Sequence, residues 1–134
     1  MKPPLETVRV SQLGRDQLIK LKRQTGIEHW NILCRWALCA SLREKTPPSA
    51  SPMSLDGGVE MSWRVFGGEF SDILAGLIAV RARQDGLGEG PEAAAYCLRL
   101  HLHRGLGYLV SGKDTKSIDD FFHRWLPQKP VEKS

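Results

Sequence analysis

The chain has 134 residues, of which 41% are hydrophobic and 25% charged, a composition that excludes wholesale disorder and suits an ordinary globular domain. Nineteen lysines and arginines against 15 acidic residues leave a formal charge of +4, too small on its own to mark a nucleic-acid binder. No apolar run approaches the roughly 18 residues of a membrane span, so a transmembrane protein is excluded as well.

Met1 to Val10 carries no apolar stretch of the kind that opens a secretory leader. Cys34, Cys39 and Cys97 are an odd number in apolar company, which suits reduced thiols better than a disulfide framework. The cytoplasm is therefore the expected location. A single domain is expected over 1–134, with a basic segment (1–45), a Pro/Gly linker (46–58), a strand-and-helix segment (59–126) and a tail (127–134).

In chain order, polar and apolar residues alternate from Thr7 to Ser11, which predicts a short strand with Val8 and Val10 on one face and Thr7, Arg9 and Ser11 on the other. The period then changes. Leu13, Leu18, Leu21 and Ile19 are placed on one side of a first helix, with Ser11 as its N-cap and Gly26 just past its end. Thr25 and Glu28 have capping-box spacing and predict a second helix from Ile27 to about Glu44, with Trp30, Leu33, Cys34, Ala37, Leu38 and Leu42 on its apolar side. Lys45 to Pro52 holds three prolines and reads as a linker.

In the second half, Val59 to Phe66 alternates between two glycine pairs and predicts another strand. Phe70, Ile73, Leu74, Leu77, Ile78 and Arg81 have helical spacing and predict a third helix to about Arg83. Pro91, after a glycine-rich turn, opens a fourth helix to about Val110. A last short helix is predicted from Ser117 to Trp125. The expected fold class is mainly α, with a ribbon-helix-helix-like N-terminal unit, C-terminal helices and one short extra strand.

Charge is unevenly distributed along these elements. Residues 1–50 carry nine basic and four acidic side chains, 51–110 carry five and seven, and 111–134 carry five and four. The surplus therefore sits on the predicted strand–helix–helix unit, which predicts a polyanion-facing surface there. A strand this short is not stable alone. In a ribbon-helix-helix protein it pairs with the same strand of a second chain, and the ribbon enters the DNA major groove. Arg9, Arg15, Lys20, Lys22 and Arg23 are the candidate DNA-binding residues, Arg9 for base or phosphate and the others for the backbone. Thr25 and Gly26 are weaker main-chain candidates, because Glu28 repels a phosphate at the start of the second helix.

Other patterns point to structure more than to chemistry. Gly67-Gly68 has neither nucleotide-loop spacing and is expected to make a tight turn. Cys97 and His101 share a helical face but His103 points elsewhere, so no metal ligand set is expected. The carboxylates Asp72, Asp85, Glu89, Glu92, Asp119 and Asp120 lie at helix starts and turns, where the helix dipole favours them. No catalytic residues and no cofactor are expected. So much apolar surface on short helices favours a homo-oligomer, a dimer or tetramer.

The stretch Val8-Arg9-Val10-Ser11, the helix from Leu18 to Gly26, and Trp30-Asn31-Ile32-Leu33-Cys34-Arg35-Trp36-Ala37-Leu38-Cys39 together resemble the DndE family of DNA sulfur-modification proteins. The block Trp63-Arg64-Val65-Phe66-Gly67-Gly68-Glu69 and the block His101-x-His103-Arg104-Gly105-Leu106 resemble it too, so the likeness runs from about Leu5 to Trp125. The resemblance implies a role in DNA phosphorothioation, the replacement of a non-bridging phosphate oxygen by sulfur. It also implies a small homotetrameric subunit that binds duplex, preferentially nicked, DNA and associates with sulfurtransferase and ATPase components. It carries over no catalytic residues. The competing expectations are a nicking or phosphoryl-handling enzyme built on Asp72, His101 and His103, and a scaffold that does not bind DNA.

Overall fold

A computed structural model describes residues 6–50 and 53–111. The chain is mainly helical, with a two-stranded antiparallel sheet. Strand β1 (Thr7–Val10) leads directly into α1 (Gln12–Thr25), which is followed by α2 (Trp30–Leu42). After the proline-rich crossover come β2 (Val59–Ser62), the short α3 (Trp63–Gly67), a single 3-10 turn at Gly68–Phe70, α4 (Ser71–Gln84) and the long α5 (Pro91–Ser111).

Local chemistry sets most of these boundaries. Ser11 caps α1 as its sequence position predicts, its Oγ accepting from the Gly14 N–H at 3.0 Å. Gly26 closes that helix in the left-handed region at φ 75°, its N–H donating to the Lys22 carbonyl. Pro91 is the first residue of α5, where its missing N–H costs nothing. The capping box at Thr25 does not form. Thr25 instead donates its hydroxyl to the Leu21 carbonyl at 2.8 Å and accepts from the Ile27 N–H at 3.2 Å. With Thr25 turned back onto α1, residues 27–29 stay non-helical and α2 starts at Trp30.

The second strand is shorter than its alternation predicts. Ser62 stops it by capping α3, its Oγ accepting from the Val65 N–H at 3.1 Å, so Trp63 to Gly67 turns helical. The partner of β1 also differs from the ribbon-helix-helix expectation. β1 pairs with β2 of its own chain, in the register Thr7↔Ser62, Val8↔Met61, Arg9↔Glu60 and Val10↔Val59. Gly58 permits this, because a Cβ at that position would overlap the Val10 carbonyl oxygen. The four-residue strand thus finds the hydrogen-bonding partner it requires without a second chain.

The core lies between the sheet and the helices, with α5 at its centre. α5 packs against α1, α2, α4 and β1, and α2 is its main neighbour. Phe66, Leu18, Leu21, Leu33, Leu38, Ile78, Leu98, Leu102, Leu106 and Leu109 are fully enclosed. Val8 and Val10 close the core from the sheet side, as the alternation predicts. Leu13 does not join Leu18 and Leu21. It is 68% exposed, because five positions along a helix carry a side chain well away from the shared face.

α4 is apolar on more than one side. It buries Leu74, Ala75, Ile78, Arg81 and Ala82, and leaves Ile73, Leu77 and Val80 exposed, together with Phe70 and Val65 just before it. The helix predicted from Ser117 to Trp125 lies outside the described residues.

The tight approach of α5 to α2 depends on one glycine. A Cβ at Gly105 of α5 would overlap the Ala37 carbonyl oxygen on α2, whereas one at Gly107 would meet nothing within 4 Å. Gly105→Ala should therefore lower stability by about 2–3 kcal/mol, because the clash is with backbone and the helices must separate. Gly107→Ala should raise it by up to about 1 kcal/mol through helix propensity alone. Urea unfolding of both variants checks the contrast, and equal effects would contradict it.

Candidate nucleic-acid interface and the buried polar cluster

All five candidate DNA-binding side chains, Arg9, Arg15, Lys20, Lys22 and Arg23, are exposed. Arg15 and Lys22 stand about two turns apart along one edge of α1, with Arg23 beside Lys22 and Lys20 farther round the helix. Arg9 lies on the outer face of the sheet opposite Glu60, and its Nε is 3.2 Å from the Glu60 carboxylate. Both side chains of this pair are largely exposed, so water screens it and it contributes little stability.

The main chain at the end of α1 is already committed. The Gly26 N–H is held by the Lys22 carbonyl and the Ile27 N–H by the Thr25 hydroxyl, so neither of these two donors is open to a phosphate. Gly67-Gly68 makes the tight turn that its spacing predicts, with Gly68 at φ 54° and its N–H on the Arg64 carbonyl.

One basic residue was not legible beside Arg9. A pocket of about 90 Å³ between β1 and α5 is lined by both Arg9 and Arg99, along with Val8, Leu98 and Leu102. Arg99 lies 90 positions from Arg9 in sequence, and only the packing of α5 under the sheet brings the two together. His103 ties the same regions. Its Nε2 accepts the Ser11 N–H at 3.0 Å, while its Nδ1–H donates to the Arg99 carbonyl at 2.7 Å. This bonding fixes the neutral tautomer, with one nitrogen donating and the other accepting.

A second constellation lies in the interior, where α2, α4 and α5 meet. Arg81 is buried and donates Nε to Asp85 Oδ1 at 2.8 Å, Nη1 to the Leu42 carbonyl at 2.9 Å, and Nη2 to the Glu44 and Thr46 carbonyls. Arg104 donates Nε to Ser41 Oγ at 2.8 Å, Nη2 to the Ser41 carbonyl at 2.9 Å and Nη1 to the Thr46 carbonyl at 2.8 Å. The two guanidinium groups thus bind carbonyls at the end of α2 and in the segment after it, of which that of Ser41 also accepts the Glu44 N–H.

Between them, His101 is fully buried. Its Nε2–H donates to Asp85 Oδ2 at 2.7 Å, and its Nδ1 accepts from Ser41 Oγ at 2.7 Å. Every buried side-chain nitrogen and oxygen among the described residues has a partner. Ser41, His101 and Asp85 resemble a hydrolytic triad in composition, but Ser41 and His101 have no exposed surface, so a phosphodiester cannot reach them.

Burial governs protonation here. It raises the pKa of Asp85, and the hydrogen bonds from Arg81 and His101 more than reverse that, holding the carboxyl below its ordinary range. Burial pulls His101 below its ordinary value against the opposing pull of Asp85. It pulls His103 down likewise, opposed by the bond to the Arg99 carbonyl. It also pushes the Cys97 thiol up to about 11, with the Asp85 charge adding to the rise. Sequence spacing does not reveal this cluster, because its members come from three helices. Two spacings within it are readable, Asp85 four positions after Arg81, which suits an ion pair, and His101 four after Cys97 on one helical face.

Fold and site together define a small, mainly helical protein with exposed basic side chains on β1 and α1 and, among the described residues, hydrogen-bonded buried polar groups. Residues 7–117 match the model of the DNA sulphur modification protein DndE, and the chain belongs to the DndE family. Among solved structures it is similar to DndE from Escherichia coli B7A, described as involved in DNA phosphorothioation modification. The TM-score is 0.62 at 25% identity, covering 78% of this chain and 97% of that one. No curated protein matches the chain.

Two outcomes follow from the buried groups. Asp85→Asn should cost about 3–5 kcal/mol in urea unfolding, because it leaves the Arg81 charge buried without its counter-ion, and Arg81→Met combined with Asp85→Leu should cost less than the two single losses added. His103 folds as the neutral base with its pKa lowered, so its contribution is complete above the ordinary histidine value of 6.5 and is lost as pH falls through that value toward the folded one. The urea midpoint should therefore drop between about pH 7.5 and about pH 5, and His103→Gln should flatten part of that drop. An unchanged slope in the variant would refute the assignment.

Proposed function

We propose that the chain is a non-catalytic DNA-binding component of the DNA phosphorothioation system, holding duplex DNA, with a preference for nicked duplex, on its basic N-terminal surface. The observation that carries this reading is the concentration of exposed basic side chains on β1 and α1, namely Arg9, Arg15, Lys20, Lys22 and Arg23, in a chain whose remainder is close to neutral. Membership of the DndE family supplies the chemical context. Sulfurtransferase and ATPase components of the same system are the proposed partners, in the cytoplasm. The exposed apolar residues Val65, Phe70, Ile73, Leu77 and Val80 support assembly into a homotetramer, since a patch of this kind is more often an interface than free surface.

Among the described residues, Arg9 is the one candidate with an anionic partner in place. A DNA phosphate must displace Glu60 from it, and because that pair is exposed the exchange costs little. The competing reading, a nicking enzyme, loses its best general base, because His101 is enclosed with both ring nitrogens bonded.

Labelled intact and nicked duplexes, titrated across a salt series with and without magnesium, test the proposal. Affinity should fall steeply with salt and no strand cleavage should appear. Joint charge reversal at Lys20, Lys22 and Arg23 should weaken binding at least tenfold and reduce the salt slope by about one for each phosphate no longer engaged. Unchanged affinity in that variant would eliminate this surface, and magnesium-dependent cleavage would favour the enzyme.

A further inference from the structure

We propose that Asp85, Cys97 and His101 form a buried site for a zinc ion. Their ligand atoms, a carboxylate oxygen, a thiol sulfur and an imidazole nitrogen, all lie within 4.8 Å of one another. Cys97 and His101 are one turn apart on α5, which places them on the same face, and Asp85 follows the last turn of α4. The sequence alone offers only the Cys97–His101 pair. Asp85 joins it through the packing of α4 against α5.

Orientation supports the site more than proximity does. His101 Nδ1 is bonded to Ser41 Oγ, which is itself fixed by Arg104, so the ring presents Nε2 toward Asp85. Asp85 Oδ1 is held by Arg81, which leaves Oδ2 for the interior of the cluster. Outer hydrogen bonds of this kind orient metal ligands and set the histidine tautomer. Thiolate with imidazole and carboxylate suits zinc, whereas magnesium and calcium require oxygen ligands.

Binding balances as follows. Cys97 gives its proton to solvent and becomes the thiolate ligand. His101 moves its single proton from Nε2 to Nδ1 and donates it to Ser41 Oγ, whose own hydroxyl proton rotates away from the ring, and Nε2 takes the metal. Asp85 exchanges its hydrogen bond to His101 for the metal while keeping its bond to Arg81. One proton is released per ion, so affinity rises about tenfold per pH unit while the thiol is protonated. The Arg81 charge opposes the cation, yet it remains spread over the carbonyls of Leu42, Glu44 and Thr46. With three protein ligands, a tetrahedral zinc ion has one further position to fill.

The test uses the full chain, stripped with a chelator and titrated with cobalt(II) as a spectroscopic substitute for zinc. One equivalent should bind with a thiolate-to-cobalt charge-transfer band, and added zinc should abolish that band. Cys97→Ser should remove the band, Asp85→Asn should weaken zinc binding at least tenfold, and Cys39→Ser should leave both unchanged. Circular dichroism checks that each variant folds, and proton release by the unmodified chain gives a readout that needs no variant. Absence of a saturable one-to-one complex, a band that survives Cys97→Ser, or zinc uptake without release of a proton would each overturn the proposal.

Discussion

The fold depends on a charge placed where charge is costly. Arg81 lies in the interior on the core face of α4, and a guanidinium there is tolerated only if its nitrogens find acceptors and its charge is balanced. Asp85 supplies the counter-charge from one turn farther on and binds Nε, and the carbonyls of Leu42, Glu44 and Thr46 bind the two Nη nitrogens. Those carbonyls belong to the end of α2 and the segment after it, which have no helical N–H left to meet them. One side chain therefore ends a helix, anchors the start of the crossover and docks α4. Arg104 from α5 does the same from the other side through Ser41 and Thr46.

The consequence for the outer surface is geometric. α5 is held at its middle by this cluster and farther along by the close approach of Gly105 to α2, so its position is fixed on several sides. From that fixed helix, His103 reaches the Ser11 N–H at the junction of β1 and α1, where the basic segment begins. The exposed cations of β1 and α1 are thus joined to the interior through a defined hydrogen bond at the junction of the two elements. The polar interior sets where the elements sit, and the proposed DNA surface is carried by side chains outside it.

Much of the fold was legible, and the reasons are local. Ser11, Gly26 and Pro91 mark the ends of α1 and the start of α5 because capping and proline chemistry act within a few residues. Alternation placed Val8 and Val10 inward and Arg9 outward. Expectation and structure part where two local signals compete. Thr25 had both a capping-box partner ahead and the Leu21 carbonyl one turn behind, and it took the carbonyl. Ser62 sat inside an alternating run but capped a helix, which ended the strand ahead of Phe66. On α4 the apolar pattern covered too wide an arc to choose a face, and the buried Arg81 with Ile78 decided it.

By itself the sequence determined the helical class, the first strand, the charge imbalance toward the N-terminus and the candidate cations on it. Each of these depends on neighbours in sequence or on simple counting. Tertiary structure alone decided that β1 pairs with β2 within the chain, because a strand's partner is chosen by what packing brings alongside it. It also placed Arg99 next to Arg9 and gathered Ser41, Asp85, Cys97, His101 and Arg104 into one buried cluster. The helices that supply those residues are joined by long or irregular segments. No periodicity within a helix encodes which of its polar residues will meet those of another.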